Sequence, residues 1–381
     1  MLSSLITTVT TVTASAVPGL GGFDTLREAL AAVPDPRARR GVRYAFAELL
    51  GIVVAAVFSG ARTLTMIAEW AEDAAAARAL PSGRKPSVAT IHRVTASCDP
   101  VALDRVVTAW TREHAAGAPT ARRVVAVDGK ECRGAKNGAG TRVFLMAALD
   151  HATGTVIGQE AVGDKTNEIP HFQALIRQLG DLNNTVITAD ALHTQHAHAI
   201  WLTGHGAHYV FTVKNNQRTL RDRIATQNWA TLPATYTHHQ KAHGRTTTWQ
   251  ATSQPAQHWI GFPHAAQTMR LTRDRHDHRT GEHTREHVFV ITSLPPGQAN
   301  PADLAGYVRG HWGIENRLHW VRDVTYDEDR SQVRTGNAAH VMATLRNLAI
   351  SIHRLTGATN IAKATRTAMR NPEIGRHITG L

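Results

Sequence analysis

Cysteine is nearly missing from this chain: two in 381 residues, Cys98 and Cys132, neither in a CxxC pattern. One possible bridge is a poor framework for a protein of this length, and the pair offers no zinc knuckle or redox motif, so a reducing, cytoplasmic compartment is expected. Long hydrophobic runs are also lacking. The longest, Phe46 to Phe58, carries Glu48 and falls short of the roughly 20 apolar residues that span a bilayer, so it is read as a buried helix. The opening MLSSLITTVTTVTASAVPG holds an ASA tripeptide, but no basic residue precedes it and threonines break its apolar stretch. It is therefore read as a flexible leader, 1–22, rather than a secretion signal. Acidic residues are in the minority, 30 against 42 Lys and Arg, for a formal charge of +12. That balance favours a polyanionic partner, bound through counterion release from phosphates.

What is present is ample apolar content, 42% of the chain, enough for two or three cores. Residues 23–114 carry helical periodicity in five segments, Asp24–Val33, Ala45–Ser59, Thr63–Ala79, Ser87–Ser97 and Val101–Glu113, separated by Pro/Gly punctuation. The first opens with the capping-box spacing of Thr25 and Glu28. This region is read as a small all-α domain, closed by the AAGAPTARR stretch. Beyond it the pattern turns to strands: VVAVDGKE (124–131), RVFLMAALD (142–150) and TVIGQEAVG (155–163) form a meander. A helix follows over 168–180, with Asn167 as N-cap and Pro170 in its first turn. Then come a strand TVITAD (185–190), a helix over Thr194–Thr203 and a strand HYVFTVK (208–214).

The order β-β-β-α-β-α-β is that of a ribonuclease-H-like α/β core, in which the first and fourth strands lie side by side. Its first part is expected over 123–216. A β-rich insertion over 217–300 follows, with hairpin character around the HGR and RTGEH turns. The core resumes over 301–356, with helices from about Pro301 to Val324 and from Ala338 to Leu355, and 357–381 is read as a C-terminal tail.

Two aspartates end apolar strands. Asp128 is followed at once by Gly129, and Asp190 closes VITAD. A carboxylate so placed needs a partner, because burying it unpaired would cost several kcal/mol or shift its pKa. Two acids on adjacent strand ends can share a divalent cation, and hard oxygen donors suit Mg2+ or Mn2+ rather than zinc. Glu315, in the motif YVRGHWGIENRLHWVRDV, is the candidate third ligand; Asp323, Asp327, Glu328 and Asp329 are rivals past the helix end, where acids usually face water. Two metals held about 4 Å apart by such a triad would activate water or a 3′-hydroxyl for in-line phosphoryl transfer. On an α-helix His311, Glu315 and Arg322 fall on one stripe, so His311 and Arg322 are candidate phosphate contacts.

Lys130, Lys165, Lys214 and Gln217 stand beside the core strands, and Arg309 on the Glu315 helix, as further candidate DNA contacts. Trp312 and Trp320 could stack on an unpaired base, although packing is the commoner use of at least one of them. The pair of segments Thr63–Ala79 and Ser87–Ser97 suggests a helix-turn-helix presenting Thr90, His92 and Arg93, but the linker from Leu80 to Pro86 is longer than that motif's turn. Nine of the 23 histidines lie between His238 and His287. Their spacings give no clean zinc pair and are read as compositional bias.

The motifs VVAVDGKECRG, DKTNEIPHFQALI, VITADALHTQ, HYVFTVKNNQ and RGHWGIENRLHWVRDVTYDED resemble, in this order, the transposases of ISAs-type (H-repeat-associated) insertion sequences. The likeness runs from about Phe23 to Leu355 and takes in VPDPRARRGVRYAFAELLGIVVAAVFSGARTLTMIAEWA, which is similar to the family's amino-terminal associated domain. It implies a DDE enzyme with two divalent ions on Asp128, Asp190 and Glu315. The implied partners are duplex DNA with terminal inverted repeats and target DNA, the active form a homodimer, the setting the nucleoid. Around the third acid a broader group carries a Tyr, Arg, Glu, Lys signature; here His311 stands for the Arg, Arg322 for the Lys, and Tyr307 is one residue further off. A catalytically inactive DNA-binding relative and a structure-specific nuclease are the competing readings.

Overall fold

The computed structural model describes residues 25–40, 42–76, 80, 83–115, 122–136, 142–163, 168–242 and 244–381. The leader, Lys165 and Asn167 lie outside the described residues. In chain order the elements are α1 (Leu26–Ala31), α2 (Phe46–Phe58), α3 (Leu64–Ala76), α4 (Val88–Ser97), α5 (Pro100–His114), β1 (Arg123–Lys136), β2 (Arg142–Asp150), β3 (Val156–Val162) and α6 (Glu168–Arg177). There follow β4 (Thr185–Ala189), α7 (His196–Gly204), β5 (His208–Val213), α8 (Arg218–Ala225), β6 (Tyr236–Ala242), β7 (Arg245–Pro255), β8 (Gln267–Asp277), β9 (His283–Thr292) and α9 (Pro301–His311). Two π-helical turns, Glu315–His319 and Val321–Thr325, precede α10 (Ala338–Leu355), α11 (Ile361–Arg370) and α12 (Pro372–Thr379).

These elements form two compact units, one drawing on residues up to 121, 129–179 and 314–381, the other on 122–128 and 180–313. Strand β1 belongs to both by its two halves.

In the first unit the caps set the helix starts as their sequences suggest. Thr25 and Glu28 make the reciprocal capping box of α1, at 3.2 and 2.9 Å. Asp99 accepts from Val101 N–H and Ala102 N–H ahead of Pro100 in α5. The run at Phe46–Phe58 becomes α2, buried apart from Ala47 and Glu48, with α1, α3, α10 and α12 packed around it. Residues 357–381 are therefore no loose tail, since α12 docks on α2. The helical region is not a body of its own either. Its α5 lies on β3 and against α10, and the buried Asp104 joins all three by accepting from Gln159 Nε2 at 2.8 Å and meeting His340 Nε2 at 2.7 Å. Pro/Gly punctuation marks where helices stop. It cannot reveal that their apolar faces close on a helix more than 200 residues away.

In the second unit the first half of β1 pairs parallel with β4, in the register Arg123↔Thr185 to Val127↔Ala189, and β4 pairs parallel with β5. The predicted side-by-side placement of the first and fourth strands is thus present. The insertion extends this sheet: β9 runs antiparallel to β5, and the order from β1 continues β4-β5-β9-β8-β7-β6. Helix α9 covers it, burying Leu304, Ala305 and Val308 with Val186, Val210, Met269 and Leu271. The first unit holds the order β3-β2-β1, with β2 and β3 antiparallel.

Candidate active site

Asp128 and Asp190 each follow directly on the last registered pair of two parallel strands, Val127↔Ala189. Neighbouring strands run about 4.8 Å apart, so the register sets the two residues side by side where the parallel pairing ends, Asp190 just past β4 and Asp128 inside β1, which runs on to Lys136. Both are half-buried. Asp190 caps a short 3-10 turn, its Oδ1 accepting from Leu192 N–H at 2.9 Å, which orients the carboxylate. The glycine after Asp128 has a steric cause: a Cβ at Gly129 would stand 2.5 Å from the Phe144 ring.

His311, at the end of α9, belongs to this half. It is buried, its Nδ1 lies 3.2 Å from Thr188 Oγ1, and burial pushes it down to about 4 despite the Asp190 charge. A neutral imidazole is not the cationic phosphate contact expected from the sequence. The desolvation that comes with packing α9 onto β4 and β5 works against the cationic form of the ring.

Glu315 lies in the other unit, exposed, at the start of the first π-helical turn. Three cationic side chains anchor the segment that carries it. Arg317 donates to the carbonyls of His151 and Thr153, at 2.9 and 3.0 Å, in the β2–β3 turn. There Gly154 is at φ +71, and a Cβ would collide with the Arg317 guanidinium at 2.1 Å. Lys130 reaches Asp323 at 2.7 Å. Arg322 is 0% exposed and pairs through Nε and Nη2 with Glu328, Nη2 to Oε1 at 2.6 Å, while Nη2 also meets Cys132 Sγ at 3.2 Å. Arg346 of α10 completes the cluster, 3.1 Å from Glu328. Burial works against the Glu328 carboxylate, yet the two guanidiniums outweigh it and hold the group down at about 2.

Arg322 therefore faces the interior and not solvent, where a phosphate would meet it. The expected stripe assumed α-helical spacing, whereas the chain winds in π turns over 315–319 and 321–325, and the guanidinium is taken by a buried carboxylate. Glu328 likewise does not face water. Lys130 is committed to Asp323, and Trp312 packs against Trp249 at 5.2 Å with the Arg273 guanidinium over its ring. Arg309 is half-buried beside Tyr236 and Trp249. Gln217 donates to the carbonyl of Thr194, while Lys214, Arg93 and Trp320 are exposed. Among the described residues no three His, Cys, Asp or Glu side chains stand together as a metal-holding group. One signal in the sequence pointed to the buried cluster: Arg346 sits within AAHVMATLRNLAISI, and a charge inside so apolar a helix demands a buried counter-charge.

Two carboxylates side by side where a parallel pairing ends are oxygen donors that could share one divalent cation. The chain belongs to the family described as Transposase DDE domain, which it matches over residues 119–352, and residues 27–111 match the family described as DDE_Tnp_1-associated. It is 26% identical to "Putative transposase YncI" of Escherichia coli O157:H7 over 87% of this chain and 88% of that one. It is equally 26% identical to "H repeat-associated putative transposase YhhI" of Escherichia coli K12, over 92% and 96%. A piggyBac transposase synaptic complex with hairpin DNA aligns with TM-score 0.42 at 10% identity, over 97% of this chain and 77% of that one. No described helix is long and apolar enough to cross a membrane.

Proposed function

We propose that this protein is a DNA transposase that cuts and joins strands by metal-dependent phosphoryl transfer on a ribonuclease-H-like core, with Asp128, Asp190 and Glu315 as its metal-holding acids. The observation that carries the reading is the parallel register Val127↔Ala189, which brings Asp128 and Asp190 side by side where the β1–β4 pairing ends, inside the region matched to the family. Their all-oxygen donor set suits Mg2+ or Mn2+, two ions in this reading. Bound there, such ions lower the pKa of an attacking water or 3′-hydroxyl and stabilise the leaving oxygen. The remaining work falls to the protein. The Leu192 amide orients Asp190, burial keeps His311 neutral while Thr188 holds its ring, and the anchors at Arg317, Asp323 and Arg322 hold the segment that presents Glu315. Lys214 and Gln217, which follow β5, are candidate phosphate contacts. The partners are duplex DNA bearing terminal inverted repeats and target DNA, engaged by a homodimer at the nucleoid.

The test is cleavage of a duplex carrying the element's own ends, with and without Mg2+. Asp128→Asn and Asp190→Asn are expected to lower cleavage about a thousandfold or more, about 4 kcal/mol in the barrier, with DNA affinity kept. Equal loss of binding and cleavage would give both residues a structural role. DNA binding with no cleavage by the unaltered protein would point to an inactive relative, and cleavage without strand transfer to a structure-specific nuclease.

A further inference from the structure

Helix α4 lies between two grooves of the first unit, and both are lined with arginine. One is formed by Arg37, Arg40, Val42, Arg43 and Tyr44 with Lys85 and with Thr90, Arg93 and Ser97 of α4. The other is formed by Arg62, Thr63 and Leu64 with His92 of α4 and the segment 330–335. His92 and Arg93 are consecutive and so point about 100° apart, which opens the two grooves on adjacent sides of one helix.

The local carboxylates of the first groove are already used. Asp35 takes the Arg37 guanidinium through both oxygens at 2.8 Å, and Glu72 takes Lys85. Arg40, Arg43 and Arg93 are left exposed, and none makes an ion pair among the described residues. In the second groove Arg62 is exposed, Arg334 spends one N–H on the carbonyl of Gly134, and Arg330 meets Asp327 only at 3.7 Å with 86% of its side chain in water. Such an exposed pair contributes little. Six guanidiniums of one sign along one helix repel each other and are not needed for folding, since none is buried. Their arrangement has a use when a polyanion of repeating charge lies along it, because an arginine fork matches phosphate oxygens and each neutralised phosphate releases counterions.

We propose that Arg40, Arg43 and Arg93 on one side of α4, and Arg62, Arg330 and Arg334 on the other, form a single track for the phosphate backbone of duplex DNA. The inference rests on the nucleic-acid reading above and deepens it. The track grips backbone rather than reading bases, so it supplies affinity and position without sequence preference. It ends in the 330–335 segment, a few residues past the turns that carry Glu315, so DNA held on it is tethered to the chain segment of the third acid.

The experiment measures affinity for a random-sequence 30-base-pair duplex across a salt series, using the full-length protein without metal so that no cleavage intervenes. Arg40→Ala/Arg43→Ala/Arg93→Ala should make the slope of log affinity against log salt shallower by about 2 to 3, at about 0.9 per phosphate, with an unchanged melting temperature. Arg62→Ala/Arg330→Ala/Arg334→Ala should do the same. The control removes equal charge elsewhere in the same unit, Lys363→Ala/Arg366→Ala/Arg370→Ala on the exposed face of α11, and should leave the slope near that of the unaltered protein. An unchanged slope in the first two variants would overturn the track, as would an equal drop in the control, which would mean net charge alone sets affinity. Tighter binding to vesicles of anionic lipid than to the duplex would overturn it too. If the track variants lose affinity as expected while the unaltered protein cuts no DNA with Mg2+, the track stands and the catalytic reading falls.

Discussion

The two aspartates and Glu315 are held in their own units by different physics. Asp128 and Asp190 are placed by backbone: parallel pairing fixes their level, and one amide hydrogen bond and one glycine finish the job. Glu315 is placed by side chains, on a segment of π turns tied down by Arg317, by the Lys130–Asp323 pair and by a buried Arg322–Glu328–Arg346 cluster. Backbone placement tolerates substitution around it, because ladder hydrogen bonds do not depend on neighbouring side chains. Placement by buried charge does not, since removing one partner strands the others in a dry interior.

The largest expected effect follows from that contrast. Glu328→Gln should destabilise the protein by about 3 to 5 kcal/mol, because it leaves two buried guanidiniums facing one neutral amide. Arg322→Met/Glu328→Leu/Arg346→Met, which removes the charge set together, should recover much of the loss in a urea or thermal unfolding series. If Arg322→Ala melted like the unaltered protein while losing cleavage alone, Arg322 would be a phosphate clamp after all and the contrast would collapse.

A second, smaller effect separates the halves by pH. His311 is buried as the neutral ring, with its folded value at about 4 against an ordinary 6.5. The stability this gives is complete above the ordinary value and is lost as pH falls through the window from 6.5 to about 4, where the unfolded chain takes up the proton first. His353, buried against Phe58, has the same sign and the same window. Glu328 behaves oppositely: its carboxylate is depressed, so its contribution is present above 4.5 and fades only as pH falls through about 2. Melting temperature should therefore drop between pH 6.5 and 4, and His311→Gln and His353→Gln should each flatten the curve. A profile already flat in the unaltered protein would contradict the burial of neutral imidazoles.

The smallest expected effect on stability is at Trp320, which is 57% exposed on the third-acid segment, whereas Trp312 is packed on Trp249. Trp320→Ala should shift unfolding by no more than about 0.5 kcal/mol, as surface changes do. A clear loss of affinity for single-stranded ends in the same variant would mark the indole as a base-stacking platform; unaltered affinity would leave it without that role.

The difference between the halves also explains what could be read from the sequence. The stretches VAVD and VITAD, with β-branched residues and the β-β-β-α-β-α-β order, made the β1–β4 pairing legible, because period and turn chemistry are local signals, although β1 runs on past Asp128 to Lys136. The Glu315 surroundings were not legible. Nothing in ENRLHWVRDVT distinguishes π from α winding, and Glu328 sits among Tyr326, Asp327 and Asp329 with no apolar flank to announce burial. The grouping of the helical region with β3 and α10 was equally hidden, since Asp104 and His340 are far apart in the chain and meet only once it is folded.

Placing Glu315 with the two aspartates is the central claim, and metal-dependent cleavage by Glu315→Gln and Asp323→Asn measured side by side on the same duplex tests it most directly. Glu315 is exposed, so its variant should melt like the unaltered protein, bind DNA, and lose cleavage about a thousandfold or more. Asp323→Asn should keep cleavage within about tenfold, about 1.4 kcal/mol in the barrier being the most that a disturbed anchor to Lys130 would remove. Full cleavage by Glu315→Gln, or its abolition by Asp323→Asn alone, would contradict the account and hand the third-ligand role to another acid.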